Sequence, residues 1–144
     1  MAVPKRVNQF DRTLAGIART TEEADRKVKA RTEAFSFALR NFLDVFYAAR
    51  KAEKKTLLVD EPVRLRALLR DGGVADAYLA ALANHLSSQY GLKRPKWSQS
   101  GDRLPDKPWF SMRTPEARIW LLTQSPAAFR ERDLFISEDA LTRV

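Results

Sequence analysis

Residues 28 to 49, VKARTEAFSFALRNFLDVFYAA, decide the fold class. Val28, Phe35, Leu39, Phe42, Phe46 and Ala49 recur at steps of seven, four, three, four and three, which lines one face of an α-helix. No Pro or Gly interrupts the run before Lys55. Phe37, Leu43, Val45 and Tyr47 widen the stripe, so the half from Phe35 to Tyr47 is expected to be buried on several sides. Arg26, Lys27, Lys29 and Arg31 make the first half polar, and that half is expected to project into solvent or towards a partner.

Upstream, Thr20-Thr21-Glu22-Glu23 fits the capping box, in which the Thr20 hydroxyl and the Glu23 carboxylate each satisfy an amide that the first helical turn leaves open. The long helix is therefore expected to begin there, preceded by a shorter helix around Phe10 to Ile17. Downstream, Asp60-Glu61-Pro62 places a capping Asp ahead of a proline, and Val63, Leu65, Leu68 and Leu69 continue helically to Gly72-Gly73. A further helix from Val74 to Gly91 carries Leu79, Leu82, Ala83, Leu86 and Tyr90, and the two are expected to form a helical hairpin over 61–90.

Residues 92–114 hold Pro95, Pro105 and Pro108 and read as a connecting loop, which Trp97, Trp109 and Phe110 turn into a strap across the body. Thr114-Pro115 and Ser125-Pro126 start helices of about 115–124 and 126–131, and Ser137-Glu138-Asp139 opens a final short turn. Thr56 to Val59 and Leu134 to Ile136 are the only strand candidates, both short. The reading is all-α: a partly flexible N-terminal segment over 1–20, then a single helical domain over 21–144.

With 144 residues, 44% of them hydrophobic, the chain is long and apolar enough to bury a core. Without cysteine it has no disulfide, no thiol nucleophile and no Cys-ligated metal. Met1 to Phe10 is polar and no run approaches the roughly 18 apolar residues of a membrane span, so a cytosolic location without membrane contact is expected. The net charge of +8, concentrated towards the two ends, favours polyanions or an acidic partner.

Catalysis finds little to stand on. His85 is the only histidine, and a general base needs an orienting partner as well as a substrate. The five glycines, at 16, 72, 73, 91 and 101, are too scattered to cradle a phosphate. No catalytic residue, metal or cofactor is expected.

Two binding readings remain. The 61–90 hairpin has the outline of a helix-turn-helix, but its second helix lacks Lys and Arg from Val74 to Gly91, and phosphate neutralisation supplies most nucleic-acid affinity. The better polyanion footprint is Arg26, Lys27, Lys29 and Arg31 together with Lys93, Arg94 and Lys96. For protein binding, the last third interleaves Trp97, Trp109, Phe110, Trp120 and Phe129 with Arg113, Arg118, Arg130 and Arg132, the residue types that dominate interface hot spots.

The segments Asp76 to Leu86, Gly91-Leu92, Pro95-Lys96-Trp97, Pro108-Trp109-Phe110, Ser125-Pro126-Ala127-Ala128-Phe129-Arg130-Glu131-Arg132 and Phe135-Ile136-Ser137 to Ala140-Leu141 resemble a family of small bacterial proteins. Many of these are encoded beside nucleotidyltransferase-like genes in toxin–antitoxin arrangements. The resemblance covers roughly the C-terminal half. It implies an antitoxin-like protein that neutralises a nucleotidyltransferase-type toxin by direct contact, and it carries over no catalytic residue. Trp109, Phe110, Phe129, Arg130 and Arg132 are the expected contact residues. The alternative reading is a DNA- or RNA-binding regulatory protein, and the oligomeric state stays open.

Overall fold

The computed structural model describes residues 12–24 and 28–142, and for residues 28 and 29 the backbone alone. The chain is mainly α-helical. Its helices are α1 (Leu14–Glu23), α2 (Val28–Ala48), α3 (Lys51–Val59), α4 (Val74–Gln89), α5 (Pro115–Gln124) and α6 (Ala127–Arg130). Two 3₁₀ turns, Lys96–Gln99 and Glu138–Leu141, and the two-residue strands β1 (Trp109–Phe110) and β2 (Leu134–Phe135) complete it. The strands pair in parallel, Trp109 opposite Leu134 and Phe110 opposite Phe135.

α4 is the central element. Ala75 to Leu86, His85 excepted, is buried on every side, and its many alanines let neighbours approach closely. The helix ends as its glycine predicts: Gly91 has a φ of 65°, Tyr90 N–H donates to Leu86 O, and Leu92 N–H reaches back to Ser87 O at 2.8 Å. Phe42, Leu43 and Phe46 of α2, Leu14 and Ile17 of α1, Leu58 of α3 and Phe129 of α6 join it in one core. The boundary expected after residue 20 thus falls inside α1, whose apolar face belongs to that core.

Four expectations are corrected. The Thr20 to Glu23 box does not open the long helix. It forms the end of α1, which starts at Thr13, whose hydroxyl accepts Gly16 N–H, and the Thr21 hydroxyl is taken by Ile17 O within that helix. The expected start near Phe10 lies outside the described residues. Secondly, the helix through Lys55 breaks at Ala49 and Arg50 without Pro or Gly. The Lys54 ammonium, held over the rings of Phe46 and Tyr90, donates to the open carbonyl of Ala49 and so caps α2 where α3 begins. The strand candidate Thr56 to Val59 is accordingly helix.

Thirdly, the first arm of the hairpin does not form. Asp76 of α4 accepts Leu65 N–H at 2.7 Å and Arg66 N–H at 3.1 Å, residues 61–65 are non-helical, and only one turn follows, with Leu68 and Leu69 N–H both on Leu65 O. Gly73, with a φ of 85°, caps α4, and the Asp71 carboxylate takes the amides of Gly73 and Ala75. A Cβ at Gly73 would lie 2.2 Å from Arg66 Nη2 and 2.9 Å from Leu104 O, so only glycine fits. Lastly, Phe37 points outward, 60% exposed, so the apolar breadth of α2 is not buried all round.

The strap over 92–108 is bolted down from beneath. Trp97 Nε1 donates to Leu58 O, and Asn84 exchanges hydrogen bonds with Ser98, its amide to Ser98 O and its carbonyl from the Ser98 hydroxyl. Arg103 is completely buried, its guanidinium 5.0 Å from the Trp97 ring, donating to Pro62 O at 2.6 Å and lying 4.0 Å from Asp76 and 3.4 Å from Glu61. Asp76 therefore serves two backbone amides and one buried cation. Removing one member of a buried charge pair typically costs about 3–5 kcal/mol. Asp76→Ala is expected to lower stability by that order, read as a drop in the urea midpoint with little change in slope. An unshifted midpoint would show that 61–66 and Arg103 are held some other way.

Candidate functional site

α5 begins where the sequence places it, the Thr114 hydroxyl accepting Ala117 N–H and Pro115 occupying the first turn. Its ten residues include the run Ile119-Trp120-Leu121-Leu122, and at 100° per residue four consecutive apolar side chains spread over more than half a turn. Only Leu121 is buried. Ile119 is 68%, Trp120 46% and Leu122 47% exposed, and Met112 just upstream is open as well. These are half of the large hydrophobic residues that the described chain leaves exposed.

Phe110 and Phe135 stack at 4.6 Å and 16°, and the Arg118 guanidinium lies 5.5 Å from the Phe110 ring. The aromatic pair of the short sheet thus continues onto α5. Trp109, alternating with Phe110 along the strand, faces the other way. It closes one side of a groove of about 360 Å³ with Phe35, Leu39, Leu69, Val74 and Tyr78.

The expected contact residues divide. Arg130 is exposed, and Trp109 and Phe110 are half-buried. Phe129 is fully buried, edge-on to Tyr78 at 5.0 Å and to His85 at 6.1 Å, and is corrected to a core residue. Arg132 is corrected likewise. Its guanidinium is turned inward, donating to the carbonyls of Ser98, Ser100 and Arg103, and burial, then the nearby Arg103, pulls its pKa down. The stretch from Ser125 to Arg132 therefore presents two charged side chains, Arg130 and Glu131, and uses Phe129 and Arg132 to fold. Sequence reasoning passed over Ile119 and Leu122. Their signal was a run of four apolar residues in a helix of ten, more than one face of so short a helix can bury.

Of the expected polyanion footprint, Arg26 and Lys27 lie outside the described residues, as does the Lys29 side chain, and Arg31 is half-buried. Lys93, Arg94 and Lys96 are exposed on the strap beside α3. His85 lines a cavity of about 310 Å³ with Tyr47, Gln89, Glu138, Leu141 and Thr142, and the Tyr47 hydroxyl donates to Leu141 O. Burial lowers the His85 pKa, and Glu138 acts in the opposite direction. No group of three or more His, Asp or Glu positioned to hold a metal occurs among the described residues, and no described helix is long and apolar enough to cross a membrane. Comparison with protein-family models, with curated proteins and with solved structures gives no match.

Two outcomes follow from this geometry. Arg132→Ala takes a donor from three carbonyls. Ser98 O keeps the Asn84 amide and Ser100 O the Arg103 N–H, but Arg103 O is left bare, at about 1–3 kcal/mol if it stays dry, so the thermal midpoint should fall, whereas Arg130→Ala should leave the melt unchanged. Equal melts for the two variants would contradict the inward placement of Arg132. For His85, the folded pKa lies below the unfolded value of about 6.5, so the unfolded chain binds the proton more readily. Its contribution is complete above about pH 6.5 and is lost as pH falls through the folded pKa. As the chain has one histidine, the melting temperature should decline on acidification from pH 7 to about 5.5, and His85→Gln should flatten that decline.

Proposed function

We propose that this chain is a non-enzymatic binding protein that engages another protein through α5 and the adjoining Phe110–Phe135 pair. The observation that carries the reading is the exposure of Ile119, Trp120 and Leu122 on a helix with one buried residue. Contiguous apolar surface of this kind is unfavourable in water and marks interaction sites when polar residues rim it. Arg113 and Arg118, exposed and next to that run in the chain, supply such a rim, and Trp with Arg are the residue types that most often dominate binding. The resemblance of the C-terminal half names the partner class: a nucleotidyltransferase-type toxin in a cytosolic two-component system, neutralised by direct contact.

The contact is reassigned from Phe129 and Arg132, which are buried, to Ile119, Trp120 and Leu122 with Phe110 and Arg118 beside them; Arg130, exposed, is kept. Since the outward residues of α5 touch little of the chain itself, changing them separates binding from folding. Ile119→Asp with Trp120→Ala should leave the circular dichroism melt unchanged and weaken capture of the protein encoded by the adjacent reading frame by at least about 30-fold, as loss of a hot spot of about 2 kcal/mol requires. Undiminished capture by the folded variant would remove α5 from the interface. An adjacent frame encoding no nucleotidyltransferase would overturn the partner class.

A further inference from the structure

A second surface, formed by α3 and the strap, is built for a different kind of ligand. Lys51 and Lys55 stand one helical turn apart on exposed positions of α3, while Lys54 between them is turned inward onto Ala49 O. The Lys51 ammonium lies 3.9 Å from where a side chain on Gly91 would begin, which puts α3 directly alongside the start of the strap. Lys93, Arg94 and Lys96 follow on that strap, all exposed.

Between the two elements runs a cleft of about 190 Å³ with the cations Lys55, Lys93, Arg94 and Lys96 at its rims, and Leu58, Val59, Leu92 and Pro95 as its apolar lining. No carboxylate lines it. It adjoins a wider cleft of about 580 Å³ that shares Val59, Pro95 and Lys96, reaches Trp97 and has one carboxylate, Glu61, which is paired with Arg64 and Arg103. The described ion pairs join Arg64, Arg66 and Arg103 to Glu61, Asp76, Asp102 and Asp106, and none of them uses a lysine. Arg94 reaches only the Ser88 hydroxyl, at 3.4 Å.

We infer that this cationic cleft binds single-stranded nucleic acid, its rims taking successive phosphates and its apolar lining taking the faces of sugars and bases. Cations from both elements flanking an apolar floor suit a flexible strand, whose backbone meets charge while its bases leave water. A duplex presents a rigid backbone with its bases stacked inside, and a floor of this width offers it no contact beyond the rim. Neither the five cations nor the cleft takes any part in the α5 surface, so the inference stands or falls independently of the protein-binding reading. Lys51 and Lys55 join Lys93, Arg94 and Lys96 of the footprint read from the sequence, because folding, and not chain proximity, brings them together.

The test is fluorescence anisotropy of a labelled 20-mer of poly(U) and of poly(dT), against a 20-base-pair duplex, with the full-length protein. With about four to five phosphates neutralised, the log–log salt slope for a single strand should be near −3, a loss of roughly 60-fold in affinity between 50 and 200 mM salt. The variant carrying Lys55→Gln, Lys93→Gln, Arg94→Gln and Lys96→Gln should keep its melt, lose at least about tenfold in affinity at 50 mM salt, and show a slope near −1. The variant with Ile119→Asp and Trp120→Ala should bind the strand as the parent does. Tighter binding of the RNA or of the DNA strand identifies the natural ligand. The proposal is overturned if neither strand binds at 50 mM salt, if the duplex binds more tightly than both, or if the quadruple variant keeps the parent affinity and slope.

Discussion

Two guanidinium ions out of water set the terms for the rest of this molecule. Arg103 and Arg132 are both buried, and their nearness lowers the pKa of Arg132 after burial itself has done so. Desolvating such an ion costs several kcal/mol unless its donors are matched. Here the match comes from distant parts of the chain: Pro62 O, Asp76 and Glu61 for Arg103, and the carbonyls of Ser98, Ser100 and Arg103 itself for Arg132. The second guanidinium thus grips the backbone of the residue carrying the first. One polar chain links α4, the non-helical 61–65 segment, the proline-rich strap and the end of α6. Arg103 Nε alone among its donors lacks a hydrogen-bond partner and is compensated by the guanidinium's position over Trp97.

This arrangement explains which parts of the fold were legible in the sequence. α4, α5 and the break at Gly91 follow from local signals, a capping hydroxyl, a proline in the first turn, a glycine able to take a positive φ, and these act within a few residues. The first hairpin arm failed because Asp76, ten residues and more away, competes for the amides of Leu65 and Arg66, and no periodicity records such a claim. The break at Ala49 was hidden for a similar reason. It depends on Lys54 being bracketed by Phe46 and Tyr90, and Tyr90 arrives from the end of α4.

The candidate site shows the same limit from the other side. Phe129 and Arg132 belong to the most distinctive stretch of the sequence, and they are distinctive because they fold the chain: Phe129 fills the space against Tyr78, and Arg132 holds the strap. An arginine near aromatics reads as an interface until its burial is known. By contrast Ile119 and Leu122 look like ordinary core residues in the sequence, and only the burial of Leu121 alone on α5 leaves them outside, beside Trp120. The basic cleft needed the third dimension outright, since Lys51 and Lys55 meet Lys93 and Lys96 across some forty residues of chain. The two surfaces differ in chemistry, one apolar with an arginine rim and one cationic over a narrow apolar floor, so one scaffold can serve two ligands without competition for residues.

Everything here rests on the strap being an integral part of the fold through Asp76, Arg103 and Arg132. Native-state hydrogen exchange measures this directly, because it gives an opening free energy for each amide. The amides of Leu65 and Arg66, which donate to Asp76, and that of Asp106, which donates to Gly72 O, should exchange only by global unfolding, with the same free energy as the α4 amides. Exchange of these three orders of magnitude faster than α4, through an opening that leaves the helix protected, would show that the strap is an appendage and that the buried arginines do not organise the molecule.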